Sequence, residues 1–274
     1  MDAFQAIVLG IVQGLTEFLP ISSTGHLLIV PTFLGWGDPG AAFTAVTQLG
    51  TMAAVLLYFR KDLWNIARSW FLSLWIKPEL RGTLDARMGW YIGLGTIPIG
   101  IFGLVFSDQI EDGARSLYLV GTTLIVLGLV LLLAEKVAKH DREIEDIKAK
   151  DAVFIGFAQA AALVPGVSRS GATITAGLFS GFNRAAAARY SFLLSVPAVV
   201  LSGLFEMRKI GDPGGVGALE TALATIAAFI VGYASIAWLL KWLASHSTMV
   251  FVVYRVALGV LVITLTATGV IEAS

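Results

Sequence analysis

The sequence predicts an all-α polytopic membrane protein: six transmembrane helices plus two re-entrant helical hairpins, arranged as an inverted-topology repeat. Three observations predict it. Of 274 residues, 57% are hydrophobic and only 14% charged, with a mean hydropathy of +0.81, whereas a soluble domain carries about a quarter charged residues. Long apolar runs recur along the whole length. Two of the apolar regions are interrupted by clusters of polar residues with Pro and Gly, and the two clusters match at a fixed offset. The formal net charge of zero gives no sign of a nucleic-acid partner. Without cysteine, disulfides and thiolate metal sites are excluded. The chain begins Met-Asp with no basic stretch, so a cleavable signal peptide is not expected and insertion falls to the spans themselves.

Crossing the hydrocarbon core takes about 20 helical residues. The uninterrupted segments that meet this are 43–59, 90–107, 117–135, 185–206, 220–243 and 249–270. Residues 3–34 and 152–182 are apolar but cut near the middle, leaving halves too short to span and suited to re-entrant half-helices. Lys and Arg number six in 60–89 and five in 136–150, against one in 107–116 and two in 207–219. With two re-entrant hairpins, the rich loops fall on one face, which is cytoplasmic by the positive-inside rule. Both termini are then expected outside, with the first hairpin entering from the outer side and the second from the cytoplasm.

Sliding the sequence by 146 residues pairs Gly10 with Gly156, Gln13 with Gln159, Ser22 with Ser168 and Gly25 with Gly171. The expected organisation is one integral membrane domain, 1–274, with repeat 1 over about 1–135, repeat 2 over about 151–274, and a charged, solvated cytoplasmic connector at 136–150. Three crossings per half give the halves opposite orientations, the architecture of many secondary transporters.

The polar clusters carry the chemistry. In the second, Pro165-Gly-Val-Ser168-Arg169-Ser170-Gly171-Ala-Thr173 places an arginine between serines at a helix start. Free backbone N–H groups and a planar guanidinium fork suit an oxyanion. In the first, Ser22-Ser23-Thr24 also opens a helix, so one hydroxyl is expected to cap it. His26 follows Ser22 at i+4, where hydroxyl and imidazole can share a face. Glu17 lies on the preceding half-helix, four residues after Gln13. A carboxylate there can hold a divalent cation, act as a base toward a hydroxyl or water, or pair with Arg169.

These residues resemble the undecaprenyl-diphosphate phosphatases, bacterial integral membrane enzymes also called bacitracin-resistance proteins. Three features carry the resemblance: Gln13-x-x-x-Glu17 running through Phe-Leu-Pro-Ile-Ser-Ser-Thr-Gly to His26, Gln48-Leu-Gly-Thr51, and Pro165-Gly-Val-Ser-Arg-Ser-Gly-Ala-Thr173. The resemblance covers essentially the whole chain. It implies removal of the terminal phosphate from undecaprenyl diphosphate, recycling the carrier lipid for peptidoglycan synthesis and conferring bacitracin resistance. It implies Ser23 as nucleophile, with Glu17, His26 and Arg169 also catalytic. Ser22, Thr24, Ser168, Ser170, Gly171 and Thr173 would surround the diphosphate, supported by Gln13 and Gln48. His26 would serve as base or acid, or itself attack phosphorus. Glu17 would activate the hydroxyl or hold Mg²⁺ or Ca²⁺. The family's opening motif accepts Glu or Gln, and Gln13 removes a second carboxylate here.

The implied partners are a polyprenyl diphosphate and membrane lipid, with room for a homodimer. The implied location is the bacterial inner membrane, multi-pass, with an extracytoplasmic site. A two-histidine acid phosphatase fits poorly, because His140 lies in the connector and His246 in a short loop. A lipid or small-anion transporter or flippase of the same inverted-repeat architecture is the alternative from another class.

Overall fold

A computed structural model describes residues 1–106, 116–206 and 216–272. The long elements are α1 (Ala3–Thr16), α2 (Ser23–Leu34), α3 (Gly40–Tyr58), α4 (Arg60–Trp75), α5 (Leu84–Val105), α6 (Leu117–Val137), α7 (Ala149–Ala161), α8 (Arg169–Phe179), α9 (Arg184–Glu206), α10 (Ala218–Leu243) and α11 (Met249–Ala267). Among the described residues there is no extended sheet, only an isolated bridge between Arg142 and Phe182. Among the described residues five helices (α5, α6, α9, α10, α11) are long and apolar enough to cross a membrane. The count rises to six if α3 and α4, bent by 76° at Phe59, form one span. The charge-poor loops expected at 107–116 and 207–219 fall largely outside the described residues.

Both interrupted regions are pairs of short helices. α1 opens with a capping box in which Gln5 N–H donates to Asp2 Oδ1 at 2.8 Å and Asp2 N–H to Gln5 Oε1 at 3.0 Å. It stops at Thr16, and α2 resumes at Ser23. α7 stops at Ala161, and α8 resumes at Arg169. The two pairs pack reciprocally, α1 against α10 of the second half and α7 against α5 of the first. Between apolar helices in lipid, close approach of backbones supplies the attraction that hydrophobic burial cannot. A Cβ added at Gly156 would lie 2.6 Å from the Gly95 carbonyl oxygen, and one at Gly10 would overlap the Ala224 carbonyl. α6 and α11 close the core, crossing at Gly121 and Gly259.

Two stretches differ from the sequence expectation. Residues 60–89, expected as a charged loop, contain α4 and a 3₁₀ turn at Pro78–Gly82. Interleaved charges and aromatics average out in a hydropathy window, whereas their spacing is helical. The connector keeps its Lys, Asp and Glu residues exposed but is also docked, through Ile144 and Ile147, which are buried. Arg142 donates to both Asp151 carboxylate oxygens and, at 2.6 Å, to the Ser180 carbonyl. Glu135 ties three helix ends, pairing with Arg184 of α9 and accepting from Thr248 Oγ1 at 2.8 Å.

Gly156→Ala is expected to lower stability by about 1–3 kcal/mol through overpacking, read as a lower melting midpoint in detergent. Gly93→Ala, whose Cβ meets nothing within 4 Å, should leave the midpoint unchanged. Equal midpoints for both variants would contradict the close α5–α7 contact.

Candidate active site

Each helix break ends on a serine in an unusual backbone conformation. Ser22 has φ 75° and Ser168 φ 70°, a region that non-glycine residues occupy rarely and at a cost. In each case the serine caps the helix that follows. Ser22 Oγ accepts from Gly25 N–H at 3.2 Å, and Ser168 Oγ from Gly171 N–H at 3.1 Å. The first-turn N–H groups of Ser23 and Thr24, and of Arg169 and Ser170, precede the first intrahelical bonds and remain available.

The two breaks meet through Glu17. Its Oε1 is ion-paired with Arg169 Nη2. Its Oε2 accepts from Ser23 Oγ at 2.6 Å and from Gln13 Nε2 at 2.8 Å. Gln13, Glu17 and Ser23 are all buried. Arg169 keeps one edge open: its side chain is 18% exposed, and its Nε and Nη1 have no hydrogen-bond partner among the described residues. Ser170 Oγ reinforces the junction by donating to the Leu19 carbonyl at 3.0 Å. The carboxylate therefore pairs with Arg169 and holds a hydroxyl in the same geometry.

The remaining predicted residues divide by what they touch. Thr24 Oγ1 lies 3.3 Å from Ser22 Oγ, and Ser168 Oγ lies 3.1 Å from Ser170 Oγ, both at the breaks. Thr173 turns toward its own helix and α9, donating to the Arg169 carbonyl at 2.7 Å with Ser191 Oγ 2.5 Å away. Gln48 is half-buried on α3 and makes no side-chain hydrogen bond to these groups among the described residues. His26 sits beside Ser22 as its spacing suggests, but bonds the carbonyl rather than the hydroxyl. Its Nδ1 is 2.6 Å from Ser22 O, so Nδ1 carries the proton, and Nε2 accepts from Tyr254 Oη at 2.7 Å. The two rings stack within 8° of parallel. The imidazole is hydrogen-bonded to neither Ser23 nor Glu17.

Sequence reasoning placed α11 as a span but missed what its arginine does. Arg255 is fully buried there and spends its donors on backbone carbonyls. Its Nη1 reaches Pro20 O at 3.0 Å in the first break; its Nη2 reaches Gly166 O at 3.0 Å and Val167 O at 3.1 Å in the second. Its Nε bonds Leu124 O on α6 at 3.2 Å. Thr123 Oγ1 adds a bond to Pro165 O at 2.8 Å. Gly171 makes room for this guanidinium, since a Cβ there would lie 2.7 Å from Arg255 Nη1. The signal was visible as a lone arginine inside the apolar run 249–270, because an ionisable residue at membrane depth is functional by default.

Fold and site together define a multi-pass helical membrane protein whose two broken helices join around a buried Glu–Ser–Arg constellation. The description "Bacitracin resistance protein BacA" matches residues 6–261. The chain belongs to this bacitracin resistance family. Similar proteins include the undecaprenyl-diphosphatase of Nocardioides sp. (strain ATCC BAA-499 / JS614), 56% identical over 274 residues and covering 100% of both chains. That of Thermobifida fusca is 54% identical, over 99% of this chain and 92% of its own. That of Mycolicibacterium smegmatis is 54% identical over 100% of both.

Arg255→Met should strip the break carbonyls of their donor, each buried unsatisfied group costing about 1–3 kcal/mol. The expected result is a large fall in melting midpoint together with loss of activity. Arg255→Lys should recover only part, because an ammonium cannot span carbonyls from two breaks. A Met variant with the wild-type midpoint would overturn the assignment.

Proposed function

We propose that this chain is an undecaprenyl-diphosphate phosphatase, hydrolysing undecaprenyl diphosphate to the monophosphate carrier lipid and inorganic phosphate. That recycles the carrier for peptidoglycan synthesis and accounts for bacitracin resistance. One observation carries the chemistry: Ser23 Oγ donates to Glu17 Oε2 at 2.6 Å while Arg169 holds the other carboxylate oxygen.

In this reading the diphosphate lies against the open edge of Arg169 and the free N–H groups at the starts of α2 and α8, where the helix dipoles favour negative charge. Ser23 Oγ attacks the terminal phosphorus as its proton passes to Glu17. The bond to the bridging oxygen breaks and the lipid monophosphate leaves with its electron pair. Glu17 hands that proton to the departing lipid monophosphate and is a carboxylate again. It then takes a proton from water as the water attacks the phosphoserine, and returns that proton to Ser23 Oγ as inorganic phosphate departs. Arg169 stabilises charge on the transferring oxygens, where positioning and electrostatics supply most of the rate. His26 already gives its Nε2 lone pair to the Tyr254 hydroxyl, which suits a proton relay toward that hydroxyl better than direct attack on phosphorus. Ser168 and Ser170 shape the second break, and Ser22 and Thr24 the first.

Among the described residues no group of three or more His, Cys, Asp or Glu could hold a metal ion, so these residues offer no closed cage. Gln13 Oε1, however, is buried without a hydrogen-bond partner, beside Glu17. One carboxylate plus one amide oxygen, completed by diphosphate oxygens and water, fits the sparse protein ligation typical of Mg²⁺. Such a cation, or Ca²⁺, would neutralise charge on the diphosphate.

The same proposal includes orientation. Broken helices with polar cores suit re-entrant hairpins, and the Lys/Arg-rich segments 60–89 and 136–150 suit the cytoplasmic face. This gives six crossings, both termini outside and an extracytoplasmic site in the bacterial inner membrane.

The test is phosphate release from undecaprenyl or farnesyl diphosphate by detergent-solubilised protein. Ser23→Ala should lower kcat at least about a thousandfold, as loss of a nucleophile does, and His26→Ala much less. A chelator should abolish release, and Gln13→Leu should raise the Mg²⁺ concentration needed for half-maximal rate. Release that survives Ser23→Ala but not His26→Ala would reassign the nucleophile; no release by the wild type with Mg²⁺ or Ca²⁺ would overturn the function.

A further inference from the structure

We infer that α4 is an interfacial helix that lies along the cytoplasmic leaflet and binds anionic lipid headgroups. It follows α3 after a 76° bend and is joined to the membrane-crossing α5 by the short turn at Pro78–Gly82, so both its ends are tied to the bilayer. Its inner face packs on α5, with Ile66 and Ser73 buried and the Trp70 ring 2.6 Å from where a Gly89 Cβ would stand.

The opposite face leaves three large aromatics uncovered: Trp64 at 67%, Phe71 at 55% and Trp75 at 79% exposure. At spacings of seven and four residues they form one stripe. Lys61 and Arg68, both exposed, flank the stripe. The only acid of the helix, Asp62, is taken by Arg189 of α9 at 2.7 Å. The outward surface is therefore aromatic and cationic with no counter-charge of its own. Aromatic rings favour the headgroup level, and basic residues beside them attract phosphatidylglycerol-type lipids. This inference rests on the multi-pass membrane architecture and, for the choice of leaflet, on the orientation proposed above; it is independent of which residue attacks phosphorus.

The sequence has no cysteine, so single labels can be placed cleanly. Phe71→Cys and, as an aqueous control on the charged connector, Glu145→Cys would each carry a bimane label. The full-length protein would be reconstituted in phosphatidylcholine vesicles with or without phosphatidylglycerol. The label at 71 should be quenched by lipids brominated near the headgroup and shielded from iodide, with the reverse at 145. Brominated phosphatidylglycerol should quench the label at 71 about twofold more than brominated phosphatidylcholine, as expected for basic residues near the surface. Lys61→Ala with Arg68→Ala should erase that preference. Three results would each overturn the proposal: iodide quenching at 71 equal to that at 145, shielding from both quenchers (which would mean a covering protein surface such as a second copy), or equal quenching by the two lipids.

Discussion

A helix broken inside a packed apolar bundle frees backbone carbonyls that must find partners within the protein. The rest of this structure depends on how that constraint is met. Arg255 takes carbonyls from both breaks with one guanidinium, Thr123 takes Pro165 O, and Ser170 takes Leu19 O. A buried arginine without a carboxylate partner is ordinarily costly. Here the carbonyl dipoles it needs are the ones the breaks expose, so each defect compensates the other. The same clamp fixes the spacing of the two breaks, and with it the distance from Ser23 to Arg169.

The matched breaks then diverge in chemistry. The offset of 146 residues that pairs Ser22 with Ser168 also pairs Ser23 with Arg169, Glu17 with Leu163 and His26 with Ala172. One scaffold thus presents a hydroxyl at the first turn of α2 and a cation at the first turn of α8. The acid and the imidazole belong to the first half alone. Glu17 bridges that asymmetry, pairing with the cation of one break while accepting the hydroxyl proton of the other. Buried polar groups of this kind are high-stakes: the network is stable only if nearly every member is satisfied. Gln13 Oε1, left without a partner, and the open edge of Arg169 are the two groups of the network not yet satisfied within it.

Much of this was legible in the sequence because membrane solvent makes polarity expensive. Pro20, Ser22–Thr24, Pro165 and Arg169 stand out against apolar surroundings, so the breaks and the serine caps follow from position alone. The Gln13–Glu17 contact follows from helical spacing. What was not legible depends on tertiary approach. Nothing local tells His26 to bond the Ser22 carbonyl and Tyr254, 228 residues away. Nothing local sends Arg255 to two breaks rather than to a headgroup. α4 was missed for another reason, since averaging hydropathy over a window erases an amphipathic pattern whose charges and aromatics alternate by face.

The claim that both breaks build one diphosphate site is tested most directly by calorimetric binding of a non-hydrolysable methylene-bisphosphonate analogue of a polyprenyl diphosphate. Arg169→Ala should lose about tenfold or more in affinity, the worth of a charge-assisted bond. With divalent cation left out, Glu17→Gln should bind at least as tightly as wild type, because Arg169 is released from its partner; with Mg²⁺ or Ca²⁺ present it should release no phosphate from the true substrate. Wild-type affinity in Arg169→Ala, or wild-type turnover in Glu17→Gln, would contradict it.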